Sequence, residues 1–563
     1  MTKFSKIFFI AILFLGLFGL AQNSEAANYY VRASATGTGS GVDWANAAGF
    51  STMSFTRGNT YYFAGGTYTY NGTYAGRMFN EAVSGTQVIT IKKAGAVECA
   101  LANAPAGCNN QAVFTESLNA AGKKTIWHVM TSYWVFDGVT GSGSDISSYG
   151  FKVTPSNCDG TLYSTYLVAT PSSVNSVSPT DITISHVAVI NCGSAYDVTQ
   201  GGFVPSPAAN QSNIVYSNNY AEGGNTNMIF SKCVSGCVAD GNYLSANWSS
   251  SANHGAQFVF KGSPNLIIKN NYFKNSCSFV LDGHITACTN EIASPFPTVT
   301  GVTASRLTDT TQNWTAGQWN GKQVCKVASS SSASAQACFV VTATGSNYVD
   351  VSPATLDTDG VVVGNYYTIK TCYAKSDNVS VYNNIVDTNP GTCPATTIPG
   401  VFANGDSAYA DVMPNFKVYN NTFYNLAIGG EGLVFTGRHT NASEKAVVRN
   451  NLIYSSSNPG RILGVAPDTN YNAFIDSTGI LYTETNRQTG TGDPFVNKLN
   501  GNFALKGGTV AQDTGTDLSA TFTTDRSGTA RPFGSAYDIG AYEYVSGIVD
   551  ITPPAAPMGV VVQ

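Results

Sequence analysis

Asn265-Leu-Ile-Ile-Lys-Asn-Asn-Tyr-Phe273 is a short alternating strand that runs into an asparagine pair, and the pattern returns along the chain. Close copies run from Asn213 to Asn219, Asn378 to Asn384, Asn415 to Asn421 and Lys445 to Asn451, and weaker ones begin at Asp181 and Gly236. Outside one long gap, successive copies start 23 to 37 residues apart. Periods in this range predict stacked units, each of which buries its apolar face only against its neighbours. Alternation sends one set of side chains inward, and the polar pair marks the bend where the chain leaves the strand. Identical residues stacked from coil to coil form asparagine ladders that satisfy their amides internally. The expectation is a solenoid of parallel β-coils.

Bulk properties narrow the function classes. The chain has 563 residues and a formal net charge of −5, which excludes the basic footprint of a nucleic-acid binder. Charged residues are only 11%, against roughly 25% in typical soluble domains, while Gly (57), Tyr (30) and Phe (29) are plentiful. Such a neutral polar surface suits a protein that meets glycans, and equally an inert scaffold.

Lys3 and Lys6 precede an apolar run from Ile7 to Leu20, and Ser24-Glu25-Ala26 offers small residues for cleavage after Ala26. That is the layout of a secretory signal peptide, residues 1–26, with a run too short to span a bilayer comfortably. The expected location is therefore secreted, extracellular or cell-surface, with no membrane-spanning segment and a monomeric state. Twelve cysteines fit an exported chain. The close pairs Cys99/Cys108, Cys277/Cys288 and Cys325/Cys338 are the expected bridges. Cys233-Val-Ser-Gly-Cys237 lacks the spacing of a zinc site.

The repeats divide into a first stack, 27–294, and a second, 372–490. Between them, 295–371 has hairpin-like turn signals, including Asp357-Thr-Asp-Gly360, and predicts a small inserted antiparallel β module. A dense Gly/Asp/Arg segment, 491–546, predicts a cap, and 547–563 is a proline-rich linker or the start of a truncated fibronectin III-like domain. The opening Tyr29-Tyr-Val31 with Trp44-Ala-Asn46, the Asn-Asn coils, and the ending Asp538-Ile-Gly-Ala-Tyr-Glu543 together resemble secreted bacterial right-handed parallel β-helix proteins of the pectate-lyase-like superfamily. The resemblance implies an all-β, right-handed parallel β-helix and export. It leaves activity open, because this fold carries lyases, hydrolases, epimerases and non-catalytic surface proteins.

Common catalytic signatures are absent: no His-Glu-x-x-His, Gly-x-Ser-x-Gly or Walker loop occurs. Aligning coils on their asparagine pairs places Lys232, Lys261 and Asp282 at the ends of consecutive apolar strands, with His254 before the second strand and His284 after the third. Stacked in register, the three charges would form one column, with Asp406 and Arg438 continuing it. A lysine beside carboxylates suits proton abstraction next to a uronate carboxyl group, since a neighbouring cation and burial lower a lysine pKa. Lyases of the resembled superfamily use Lys or Arg as base, often with calcium, so Ca2+ is a possible cofactor. The stretch from Lys261-Gly-Ser-Pro-Asn265 to Leu281-Asp-Gly-His284 is similar to alginate lyase and chondroitinase B relatives, although Asp282 stands where those carry arginine. Two functions follow. The favoured one is a non-catalytic glycan-binding or structural, adhesin-like surface protein whose partner is an extracellular polysaccharide or cell-surface component. The alternative is a polysaccharide lyase with Lys261 or Lys232 as base, His254 and Asp282 assisting, and Asp240, His284 and Arg438 on the substrate.

Overall fold

In a computed structural model of the chain, the described residues are 26–70, 76–81, 84–116, 126–155, 168–171, 179–190, 203–206, 210–223, 226–247, 256–276, 279–284, 288–332, 335–372, 376–388, 402–404, 415–426, 434–436, 446–456, 468–479 and 483–547. They form three long parallel sheets, here A, B and C, of 13, 12 and 9 strands, to which most coils contribute one strand each in the order A, B, C. Parallel strands joined by crossovers wind right-handed, and the result is a right-handed parallel β-helix.

Strand alternation fills the interior. In sheet A, Phe136, Ile184, Tyr216, Ala239, Ile268, Val381, Val418 and Val448 stack coil upon coil, all buried. In sheet C, Met228, Phe258 and Leu281 do the same. The first coils are richer in aromatics: Phe55, Phe79, Trp127, Trp134 and Phe136 pack edge to face.

From Asn218 to Asn472 the bend from sheet A to sheet B is nearly invariant, and it explains the asparagine pairs. The first residue is left-handed (φ 52° at Asn218, 57° at Asn270, 55° at Asn383, 48° at Asn420 and 55° at Asn450), a conformation that asparagine tolerates. Gly241 takes that place in one coil at φ 68°. The second residue turns inward and builds a ladder. The Nδ2 groups of Asn219, Asn242, Asn271, Asn384, Asn421 and Asn451 each donate to the Oδ1 of the next rung, at 2.9–3.1 Å. Each Oδ1 from Asn242 to Asn472 also accepts the backbone N–H of the preceding rung. The column ends at Asn472, whose Nδ2 and N–H donate to the Glu484 carboxylate.

The 113-residue gap between Asn271 and Asn384 does not interrupt this ladder. Ile267–Lys269 pairs directly with Ser380–Tyr382, and Tyr272–Lys274 with Ile385–Asp387. The inserted module loops out between Cys288 and Cys372 as an antiparallel sheet. A bridge from Thr298 to Tyr366, with Val299 N–H on the Asn365 carbonyl, curls this sheet back on itself. Trp314, Trp319, Leu307, Val324, Phe339, Val349 and Tyr367 fill the module core. Both tryptophans are therefore packing residues.

The segment 493–544 runs back along the A/B corner of the stack. The first asparagines of three pairs hold it: Asn383 donates to Thr524 O, Asn420 to Asp538 O and Gly540 O, and Asn450 to Thr516 O. Arg526 reaches Asn270 O, and Phe522 stacks on Tyr382. The closing motif is structural. Arg531 Nη1 lies 2.5 Å from Glu543 Oε1 in a fully buried pair, and the Glu543 N–H donates to Asp525.

The bridges Cys99–Cys108 and Cys325–Cys338 form as expected, and Cys233–Cys237 is a third. Cys277 lies outside the described residues, and with it the expected Cys277–Cys288 bridge. No helix among the described residues is long and apolar enough to cross a membrane.

Candidate functional site

The three sides of the coil differ in what joins them. From the coil at Ile214 onward, sheet A passes to sheet B through the two-residue bend, whereas Lys93 to Ala112 and Asp137 to Phe151 are longer connections in the first coils. Sheet C is entered and left through connections that are long and unequal: Ile190 to Phe203, Asp387 to Phe402, Asn404 to Lys417, and the whole insert after His284. Variable connections around a rigid face are where binding groups concentrate. The outer face of sheet C also lies opposite the corner that segment 493–544 covers.

On sheet C, Ala256–Lys261 alternates Phe258 and Phe260 inward, so Val259 and Lys261 belong to the outer face. Lys261 is half-buried at the strand end. The register pairs it with Ser231 in the preceding coil and with His284 in the following one. Asp282 pairs with Val259. The expected Lys232–Lys261–Asp282 column is thus corrected to Ser231–Lys261–His284. Counting back from apparent strand ends misplaced it, because Phe279–His284 continues through Gly283 to His284 while the strand Met228–Ser231 stops before Lys232. Lys232 is a buried turn residue at φ 59°, and its N–H donates to the Lys261 carbonyl at 2.7 Å. The adjoining Cys233–Cys237 bridge and the Ser263 Oγ acceptor of the Cys233 N–H pin that turn.

Asp240 is not part of this face. It stands on sheet A, where it is 3.2 Å from Lys269 Nζ and accepts from Asn270 Nδ2. His254, Asp406 and Arg438 lie outside the described residues. Among the described residues no group of three or more His, Cys, Asp or Glu side chains is arranged to hold a metal ion.

One juxtaposition escaped the sequence reading. Asp137 and His186, from neighbouring coils of sheet A, meet at 3.0 Å through Oδ1 and Nδ1. Burial opposes the Asp137 charge, but the His186 hydrogen bond and the Val139 N–H hold its carboxyl below the usual range. The only signal was positional: Asp137 closes its strand as Ser185 closes the next, and His186 fills the first-asparagine place at φ 57°.

No family model matches this chain, and no curated protein matches it. Solved structures similar to it include pectate lyase Pel9A, at 15% identity and TM-score 0.44, covering 93% of this chain and 97% of that one. The PL6 family alginate lyase AlyGC is similar at 11% identity and TM-score 0.37, covering 94% of this chain and 60% of that one. The A-module of the Azotobacter vinelandii mannuronan C-5 epimerase AlgE4 is similar at 12% identity and TM-score 0.29, covering 77% and 87%.

Proposed function

We propose that this protein is an extracellular polysaccharide-binding β-helix that holds an acidic glycan on the outer face of sheet C. The observation that carries the reading is the position of Lys261. It ends an outer-face strand of sheet C, which in this part of the solenoid is bounded by long, unequal connections while sheets A and B are joined by two-residue bends. A half-buried ammonium there pairs with a sugar carboxylate more strongly than a fully solvated one. The stable stack, the disulfides and the low charge suit a rigid surface protein outside the cell.

A second reading, β-elimination, is favoured by the register of Lys261 beside His284. Lys261 would neutralise the uronate carboxylate and His284 would take the proton on C5. The C4–O bond then breaks, a C4=C5 double bond forms, and the leaving glycosidic oxygen takes up a proton from water. Calcium would serve the neutralising role equally well.

The test is titration of the chain from Ala27 onward with polygalacturonate and alginate, calorimetrically and by ultraviolet absorbance of unsaturated products. Binding that Lys261→Ala weakens about tenfold or more, with no unsaturated product, supports the binding reading. Product formation that both Lys261→Ala and His284→Ala abolish establishes the lyase reading. No binding to any polyuronate sinks both.

A further inference from the structure

On segment 493–544, away from sheet C, a small cavity of about 160 Å³ is lined by Gln512, Asp513, Phe533, Gly534, Asp538, Tyr544 and Ser546. Its two carboxylates are fixed by backbone N–H groups. The Asp513 Oδ1 accepts the N–H groups of Ser535 (2.6 Å) and Ala536 (3.2 Å). This fixes the carboxylate, whose Oδ2 lies 3.4 Å from Gln512 Nε2 and which also takes a side-chain bond from Ser535. Gly534 makes this possible, because a Cβ there would lie 2.1 Å from Asp513 Oδ1. Asp538 accepts the N–H of Asp513 at 2.6 Å and that of Tyr544. Phe533 stands at the mouth, 52% exposed on a surface where few large apolar side chains are.

Among the described residues no cation lines this cavity, and Arg531 is committed to Glu543. Two carboxylates beside an exposed aromatic face favour an ammonium group, which the ring quadrupole and the anions both attract. The volume suits one pyranose ring, whose C–H face stacks on an aromatic ring while its hydroxyls meet side chains such as Gln512 and Ser546. We infer that this cavity is a second glycan site, specific for an amino sugar with a free amine and independent of the sheet C face.

The probe is D-glucosamine, with D-glucose and N-acetyl-D-glucosamine as uncharged counterparts, followed by ligand-observed NMR on the full chain at neutral pH. Glucosamine is expected to bind, and the two counterparts to bind at least about fivefold more weakly. Phe533→Ala is expected to weaken glucosamine by about fivefold while leaving the melting temperature unchanged, since the ring is half exposed. Lys261→Ala is expected to leave it unaffected. Equal binding of the three sugars, no binding of glucosamine, or unaltered binding by Phe533→Ala would overturn the assignment.

Discussion

The A/B corner and the rim of sheet C are built from the same repeating coil and are opposite in character. At the corner each coil from Asn218 to Asn472 needs the same two kinds of residue, one left-handed and one buried in the ladder, so the sequence repeats there. At the rim nothing has to stack identically, and connections range from a few residues to the entire insert. Repetition marks where the fold is held together, and variation marks where a partner can be met.

The sharpest way to break the corner is Asn271→Ala. This removes the Nδ2 bonds to Asn384 Oδ1 and Ala239 O and the acceptor of the Asn242 N–H, all buried. Unsatisfied buried groups of this kind cost about 3–5 kcal/mol in total, read as a large fall in melting temperature. Its neighbour provides the contrast. Asn270→Ala is expected to cost only about 1–2 kcal/mol, from the strain of a left-handed alanine and the loss of the part-buried bond to Asp240, and Asn270→Gly less. Equal losses at 270 and 271 would refute the division of roles between the two asparagines.

Breaking the buried pair with Glu543→Gln should cost about 3 kcal/mol, because Arg531 stays charged in a dry site. The loss should show as earlier proteolysis of segment 493–544. The same segment carries a pH signature. Burial, reinforced by the neighbouring carboxylates Glu543 and Asp513, pushes Asp538 up to about 6 from an ordinary 3.8. The folded state therefore binds more protons than the unfolded one between these values. The stabilising contribution is full below about pH 4 and is lost as pH rises through about 6, by about 2–3 kcal/mol. Melting curves of the wild type and Asp538→Asn should diverge across that window. The difference between them staying constant with pH would exclude it.

The smallest expected effect is at the insert. Replacing residues 290–370 by a short Gly/Ser linker should leave the β-helix folded, since the strands on either side already pair with each other. Retained far-ultraviolet dichroism and a melting temperature within a few degrees would confirm this, and loss of the soluble stack would show that the module supports the coils.

Much of the fold was legible because the ladder imposes a residue type at a fixed place. Asn219, Asn242 and Asn271 can be read as a column directly from the sequence, and so can the position of the insert. The candidate site was legible only as a region. Lys261 was found, but its partner was misassigned, because strand lengths vary between coils and only pairing fixes register. His186 and Asp137 were missed because residues from separate coils meet only once the coils stack.

The sequence by itself determined the coil, its bend residues and the presence of an inserted module. These are local or strictly periodic properties, set by backbone conformation and by identical side chains repeating one above another. The tertiary structure alone decided that His284, not Asp282, is the register partner of Lys261, that Asp240 belongs to another sheet, and that the closing segment runs back along the corner. Those depend on hydrogen bonds between coils far apart in the chain, such as Asn383 to Thr524, which no local pattern encodes.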